Sequence, residues 1–223
     1  SEIYSAAIQD YERGIIIGST TTGKGTAQVQ LDSLAHGQAT LTQRKFYRVT
    51  GGSTQNKGVI PDIRLVDIYN EEFGERKAKN ALKWDTIPTA PFKREGSVQP
   101  YLAKLNQTSE QRVATDPQFK YLETRKTLAK KSADEKKVVL DIDQRRAELV
   151  DLEKQTLDAE NQRRAATGQP PYANWESYQA SIDALVESRA KMKAHLRPPL
   201  PEEEAFITEA ANVLLDYAAL QGR

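Results

Sequence analysis

The residues best suited to chemistry lie in one stretch, Gly18-Ser19-Thr20-Thr21-Thr22-Gly23-Lys24-Gly25-Thr26-Ala27-Gln28. Two chemistries fit its residue types. Gly18, four residues, then Gly23 and Lys24 satisfy most of a phosphate-binding loop, in which backbone N–H groups cradle phosphate and the lysine reaches the outer phosphates. Against this, Gly25 stands where a Ser or Thr should hold magnesium, and the following residues alternate like a strand instead of opening a helix toward the phosphate. The other chemistry is a lysine general base. A lysine can take a proton from a serine hydroxyl only when it is itself neutral, a state favoured by apolar burial. The glycines flanking Lys24 allow a tight backbone path and a close partner. Gln28, four residues on, falls on the same side of an extended chain and can reach the amine, supplying the orienting third group of a triad. On spacing alone, an ordinary surface lysine in a glycine-rich turn stays open beside these two.

Composition removes other chemistries. The 223 residues contain no cysteine, which excludes disulfides, thiol nucleophiles and Cys-based metal sites. The two histidines, His36 and His195, are far apart in sequence, which argues against a Ser–His–Asp triad or a multi-His metal centre. No metal or cofactor is expected. A formal net charge of +1 supplies no field for nucleic acid or anionic lipid, and no apolar run suggests membrane insertion. No signal peptide is seen, and Ser1-Glu2-Ile3-Tyr4 reads as a helix start, so the expectation is a piece whose upstream sequence lies elsewhere.

The elements that must position Lys24 follow from periodicity. Residues 2–11 carry Ile3, Ala6, Ala7 and Tyr11 at helical spacing, with Ser1 as N-cap. Gly14 to Gly18 is an apolar run that reads as a buried strand; residues 26–34 and 39–49 alternate as strands, and Val59 to Ile63 reads as an edge strand because of Pro61. Residues 69–115, with Pro88, Pro91 and Pro100, read as a connecting arm with at most a short helix, in which Trp84 packs on a neighbouring surface. From Asp116-Pro117 onward the sequence is helical. Ser132 to Glu135 has the capping-box form and is expected to open a long helix ending near Gly168. Val138, Ile142, Leu149 and Leu152 would form its packing stripe, with Asp141/Arg145 and Glu160/Arg164 as solvated pairs. Further helices are expected at about 174–195 and 202–220, the last burying Ile207, Ala211, Leu214, Leu215 and Ala218. The fold class is α+β, divided into 1–68, 69–115 and 116–223.

Ser1-Glu2-Ile3, Gln9-Asp10-Tyr11 and Gly23-Lys24-Gly25-Thr26-Ala27-Gln28 resemble the active-site block of the carboxy-terminal processing proteases. Lys45 to Ile63, containing Gly51-Gly52-Ser53-Thr54-Gln55-Asn56-Lys57-Gly58-Val59-Ile60-Pro61-Asp62, is similar to the enterobacterial, tail-specific Prc type, as is Asn80-Ala81-Leu82-Lys83-Trp84-Asp85. The resemblance implies a Ser–Lys serine endopeptidase of the Gram-negative periplasm. Residues 1–68 would close an α/β protease core and the helices would be its C-terminal extension. It places the general base on Lys24 and its assistant on Gln28. The nucleophile would fall two positions before Ser1, so this chain alone is expected to be inactive, and Ser1 to cap the helix. Thr22 replaces a usual Phe, which removes an apolar wall from the lysine. Substrates would be proteins bearing recognised C-terminal tails; a lipoprotein adaptor and self-association are the other partners considered. A helical interaction module with a non-catalytic protease remnant is the alternative reading.

Overall fold

A glycine-bounded run of three isoleucines can pair only where other backbone groups meet it, and here very little of it pairs. The computed structural model describes all residues except Asp32, Ser33, Ala35, 68–73 and Arg223. Its contacts divide the chain into two compact units, Ser1–Gln107 with Leu220–Arg223, and Thr108–Ala219. The expected boundary between residues 68 and 69 lies outside the described residues.

The first unit opens with α1 (Glu2–Asp10), with Ser1 in the N-cap position but making no side-chain cap bond. β1 is only Ile17–Gly18 and pairs in parallel with β4 (Ile63–Arg64). The Asp62 side chain accepts from the Ile16 amide at 2.8 Å, and the Asp62 amide donates to the Ile16 carbonyl at 2.7 Å. At Ile16 a side-chain carboxylate takes the place of a ladder carbonyl, so the isoleucine run is shorter as a strand, and only half-buried, against the expected buried strand. Pro61, without an N–H, stands just outside the ladder. β2 (Thr26–Leu31) and β3 (Ala39–Lys45) form an antiparallel ribbon whose register shifts between Ala27 and Gln28, so Ala27 faces Arg44 while Gln28 faces Thr42. Gln43 is the extra residue of that bulge.

Within the expected connecting arm, α2 (Gln99–Thr115) is a seventeen-residue helix, and the division between the units falls inside it. Pro100 is tolerated in its first turn, and Leu105 and Ser109, one helical turn apart, are buried. Trp84 packs as expected: its indole N–H donates to the Ser53 carbonyl at 2.8 Å, and the Lys57 ammonium sits 3.2 Å from the ring centre.

The second unit contains α3 (Pro117–Asp134), α4 (Ile142–Ala166), α5 (Trp175–Lys191) and all but the last residue of α6 (Pro201–Leu220). Asp116 caps α3, accepting from the Gln118 amide at 2.7 Å. The expected single helix from Ser132 onward is broken. Ser132 lies in the last turn of α3, and α4 starts at a different cap, Asp141, which accepts from the Asp143 and Gln144 amides at 3.1 and 2.8 Å. The β-branched pair Val138-Val139 disfavours helix in the gap, and Asp141 satisfies two orphan donors that Ser132 does not meet. The expected stripe is also not a core: Val138, Ile142 and Leu149 are 61%, 60% and 53% exposed. What α4 buries instead is its C-terminal half, Ala159, Glu160 and Arg163, which faces α3 and α5.

Two expected ion pairs are replaced. Arg145 bridges Glu148, and Glu160 pairs with Arg163 at 2.7 Å with both side chains buried. Arg164 lies over Tyr172 and donates to the Pro170 carbonyl. α6 is likewise rotated from expectation. It buries Ala205, Glu209 and Val213 and leaves Ile207, Leu214 and Leu215 exposed, because Glu209 is drawn inward by a bidentate bond from Arg112.

Candidate active site

Lys24 is exposed, yet almost every backbone polar group around it is held. The Gly23 amide donates to Glu2 Oε1 at 2.6 Å, and the Gly23 carbonyl accepts from the Asn56 amide at 2.8 Å. The Gly25 amide donates to Gln55 Oε1 at 2.8 Å, and the Gly25 carbonyl accepts from the Phe46 amide at 2.7 Å. Thr21 pairs with Val59 through both its amide, at 3.2 Å, and its hydroxyl, which accepts at 2.8 Å. α1, the turn at 53–58 and the end of β3 therefore grip the lysine's two flanking peptides from different sides.

The glycines are needed for this grip. A Cβ on Gly25 would stand 2.6 Å from the Gln55 amide nitrogen, and one on Gly58 would stand 2.3 Å from the Thr21 carbonyl oxygen, at a φ of +67° that favours glycine anyway.

The Lys24 ammonium donates to Gln28 Oε1 at 3.1 Å. The Gln28 amide group in turn reaches the Thr42 hydroxyl at 3.3 Å. Thr42 is the cross-strand partner of Gln28 across the bulge, so their side chains share a face. An amide with its NH2 engaged by Thr42 presents its oxygen to Lys24, which is the orientation an amine partner requires. The structure thus brings Lys24 and Gln28 together. The lysine is exposed, however, where the base reading expected apolar burial, and Thr22 beside it is exposed too. Among the described residues, no serine hydroxyl bonds the lysine. The phosphate-loop reading is overturned, because the residues after Lys24 form β2 and no helix opens there.

Sequence reasoning missed three participants. Glu2 belongs to the motif Ser1-Glu2-Ile3 but had no role assigned to it, and its carboxylate crosses to the lysine segment. Gln55 is fully buried, and its signal was an uncharged polar residue inside a turn that cannot pair all its own groups. Arg48 forks onto the buried Asp10 carboxylate and donates to Gln9 Oε1 at 2.9 Å, fastening the end of α1.

Residues 1–65 match the family described as peptidase family S41, and residues 68–219 match the C-terminal domain of tail specific protease. The chain belongs to the tail-specific protease family. A relative called tail-specific protease, from Haemophilus influenzae, is 42% identical, with 66% of this chain and 23% of the relative covered. A carboxy-terminal-processing protease of Bartonella bacilliformis is 40% identical over 33% of this chain and 17% of its own length. A chloroplastic C-terminal processing peptidase of Tetradesmus obliquus is 38% identical over 29% of this chain and 14% of its own. The chain therefore spans less than a quarter of these tail-specific and carboxy-terminal processing relatives. All six residues 23–28 lie within the part matched to peptidase family S41.

Proposed function

We propose that this chain is the C-terminal part of a serine endopeptidase that recognises proteins by their C-terminal tails, with Lys24 as general base and Gln28 as its orienting partner. The observation that carries the reading is the 3.1 Å contact between Lys24 and Gln28 on a backbone fastened at both flanking glycines. Fixed geometry is the main requirement for proton transfer, and an exposed amine on a held backbone can meet a nucleophile brought to it.

In the proposed reaction a serine oxygen bonds to the scissile carbonyl carbon while its proton passes to the Lys24 amine. The resulting ammonium returns that proton to the leaving nitrogen as the C–N bond breaks. Water then attacks the acyl ester by the same exchange. The serine is assigned to the region preceding Ser1, so residues 1–223 alone are predicted to be inactive. Apolar surroundings for the amine must come from that same region or from substrate. The Gram-negative periplasm is the compartment proposed, from the resemblance in the motif residues.

The test is cleavage of a tail-bearing substrate by the full-length protein and by its Lys24→Ala form. A loss of about 10³-fold or more in kcat with the fold retained is expected, in line with removal of an essential base. Normal cleavage by the variant would reduce Lys24 to a turn residue.

A second reading, a helical interaction or oligomerisation module, is favoured by one observation: the segment before α4 leaves Leu140 97% exposed beside Val138 and Ile142. A monomeric mass in solution, unchanged on mixing with the upstream part of the protein, would dismiss it.

A further inference from the structure

The side chain that holds the Gly25 amide is itself held from outside the peptidase segment. Gln55 is 0% exposed. Its Oε1 accepts from Gly25 N at 2.8 Å, and its Nε2 donates to Glu75 Oε1 at 3.2 Å. An amide side chain can be turned end for end at little steric cost, so contact alone does not say which end faces Gly25. A carboxylate removes that choice, because it can only accept, and so it fixes the NH2 on the Glu75 side and the oxygen on the Gly25 side. Glu75 is placed independently, since its own amide donates to the Thr22 carbonyl at 3.1 Å. It begins the short 3-10 turn Glu75–Lys77 and lies within residues 68–219, the part matched to the C-terminal domain, whereas Lys24 and Gln55 lie within residues 1–65.

We infer that Glu75 and Gln55 are positioning residues for Lys24, and that the C-terminal domain segment thereby completes the geometry of the base. Glu75 sets the orientation of Gln55; Gln55 fixes the Gly25 peptide; and that peptide, with Gly23 held by Glu2 and Asn56, sets where the lysine side chain starts. This inference rests on the reading of Lys24 as the base. A displacement of about 1 Å in such a group costs on the order of 10²-fold in rate, whereas substrate binding elsewhere is untouched.

The experiment uses the full-length protease and a tail-bearing peptide, with kcat and KM measured separately and folding followed by circular dichroism. Gln55→Leu is expected to lower kcat by about 10–100-fold with KM within about 2-fold of the parent. Gln55→Glu keeps an acceptor for Gly25 but sets two carboxylates together, so it too should lose kcat. Adding Glu75→Gln to it restores a donor opposite an acceptor, and kcat is expected to recover to within about 3-fold of the parent. Space-filling alone would give no such recovery.

The inference is overturned if Gln55→Leu cleaves with the parent kcat, if the loss lies in KM, or if the double variant is no better than Gln55→Glu. Should Gln55→Leu fail to fold, the size-matched exchange decides alone. Lys24→Ala, run alongside, separates the two levels. If it is inactive while the Gln55 and Glu75 variants are normal, only the positioning role fails. If it cleaves normally, the base reading fails and the positioning role with it.

Discussion

Backbone atoms, more than side-chain burial, define the lysine's surroundings. Gly25→Ala would drive a methyl against the Gln55 backbone at 2.6 Å, and Gly58→Ala would do so against Thr21 in a left-handed conformation. Each is expected to destabilise the protein by about 2–4 kcal/mol, measured by chemical denaturation. Gly37→Ala is the control: its φ is +76° but an added Cβ meets nothing, so a cost of about 1 kcal/mol is expected. Motif resemblance singled out Lys24 and Gln28, and their four-residue spacing allows the contact that is found between them. Glu2 and Gln55 were illegible because their partners are main-chain groups 21 and 30 residues away. Periodicity carries no signal for such a bond.

Among the elements, the helices of the second unit were readable in number after Asp116 but not in their faces or joints. Asn174, expected inside the helix at about 174–195, is instead its cap: its side chain accepts from the Ser177 amide at 2.9 Å, and the Ser177 hydroxyl accepts from the Asn174 amide at 3.3 Å. Ser132 and Asp141 show the contrast. Both stand before plausible helix, and only the bonds at Asp141 are made. Asp141→Ala should therefore cost about 1 kcal/mol, whereas Ser132→Ala should fall within about 0.5 kcal/mol of zero, by urea unfolding. The buried Glu160–Arg163 pair was misjudged for a related reason. Sequence spacing allowed Glu160 to reach Arg163 or Arg164, and only packing against Tyr121, whose ring lies 5.5 Å from the Arg163 guanidinium, selected the former. Glu160→Ala would leave that guanidinium buried without its carboxylate, and a loss of about 3 kcal/mol is expected.

At the scale of the whole second unit, buried phenols shape the response to alkali. Burial pushes the Tyr121 phenol well above its ordinary value, against a smaller opposing pull from Arg125, and burial raises Tyr178 as well. The folded unit thus holds these protons more tightly than the unfolded chain does. Their contribution is complete below the unfolded tyrosine pKa of about 10 and is lost as pH rises toward the folded values. Alkaline titration should melt the helices of residues 108–219 above about pH 10, and Tyr121→Phe should reduce that sensitivity, at a cost near neutrality of about 1 kcal/mol for the lost bond from Arg125.

The sequence holds only two tryptophans, and each unit has one, Trp84 in the first and Trp175 in the second. Trp84 hydrogen-bonds the carbonyl of Ser53, two residues before Gln55, under the charge of Lys57. Its emission should accordingly be quenched and red-shifted when the turn beneath it loosens. With Trp175→Phe in place, intrinsic fluorescence becomes an optical gauge of the lysine's footing that needs no added label.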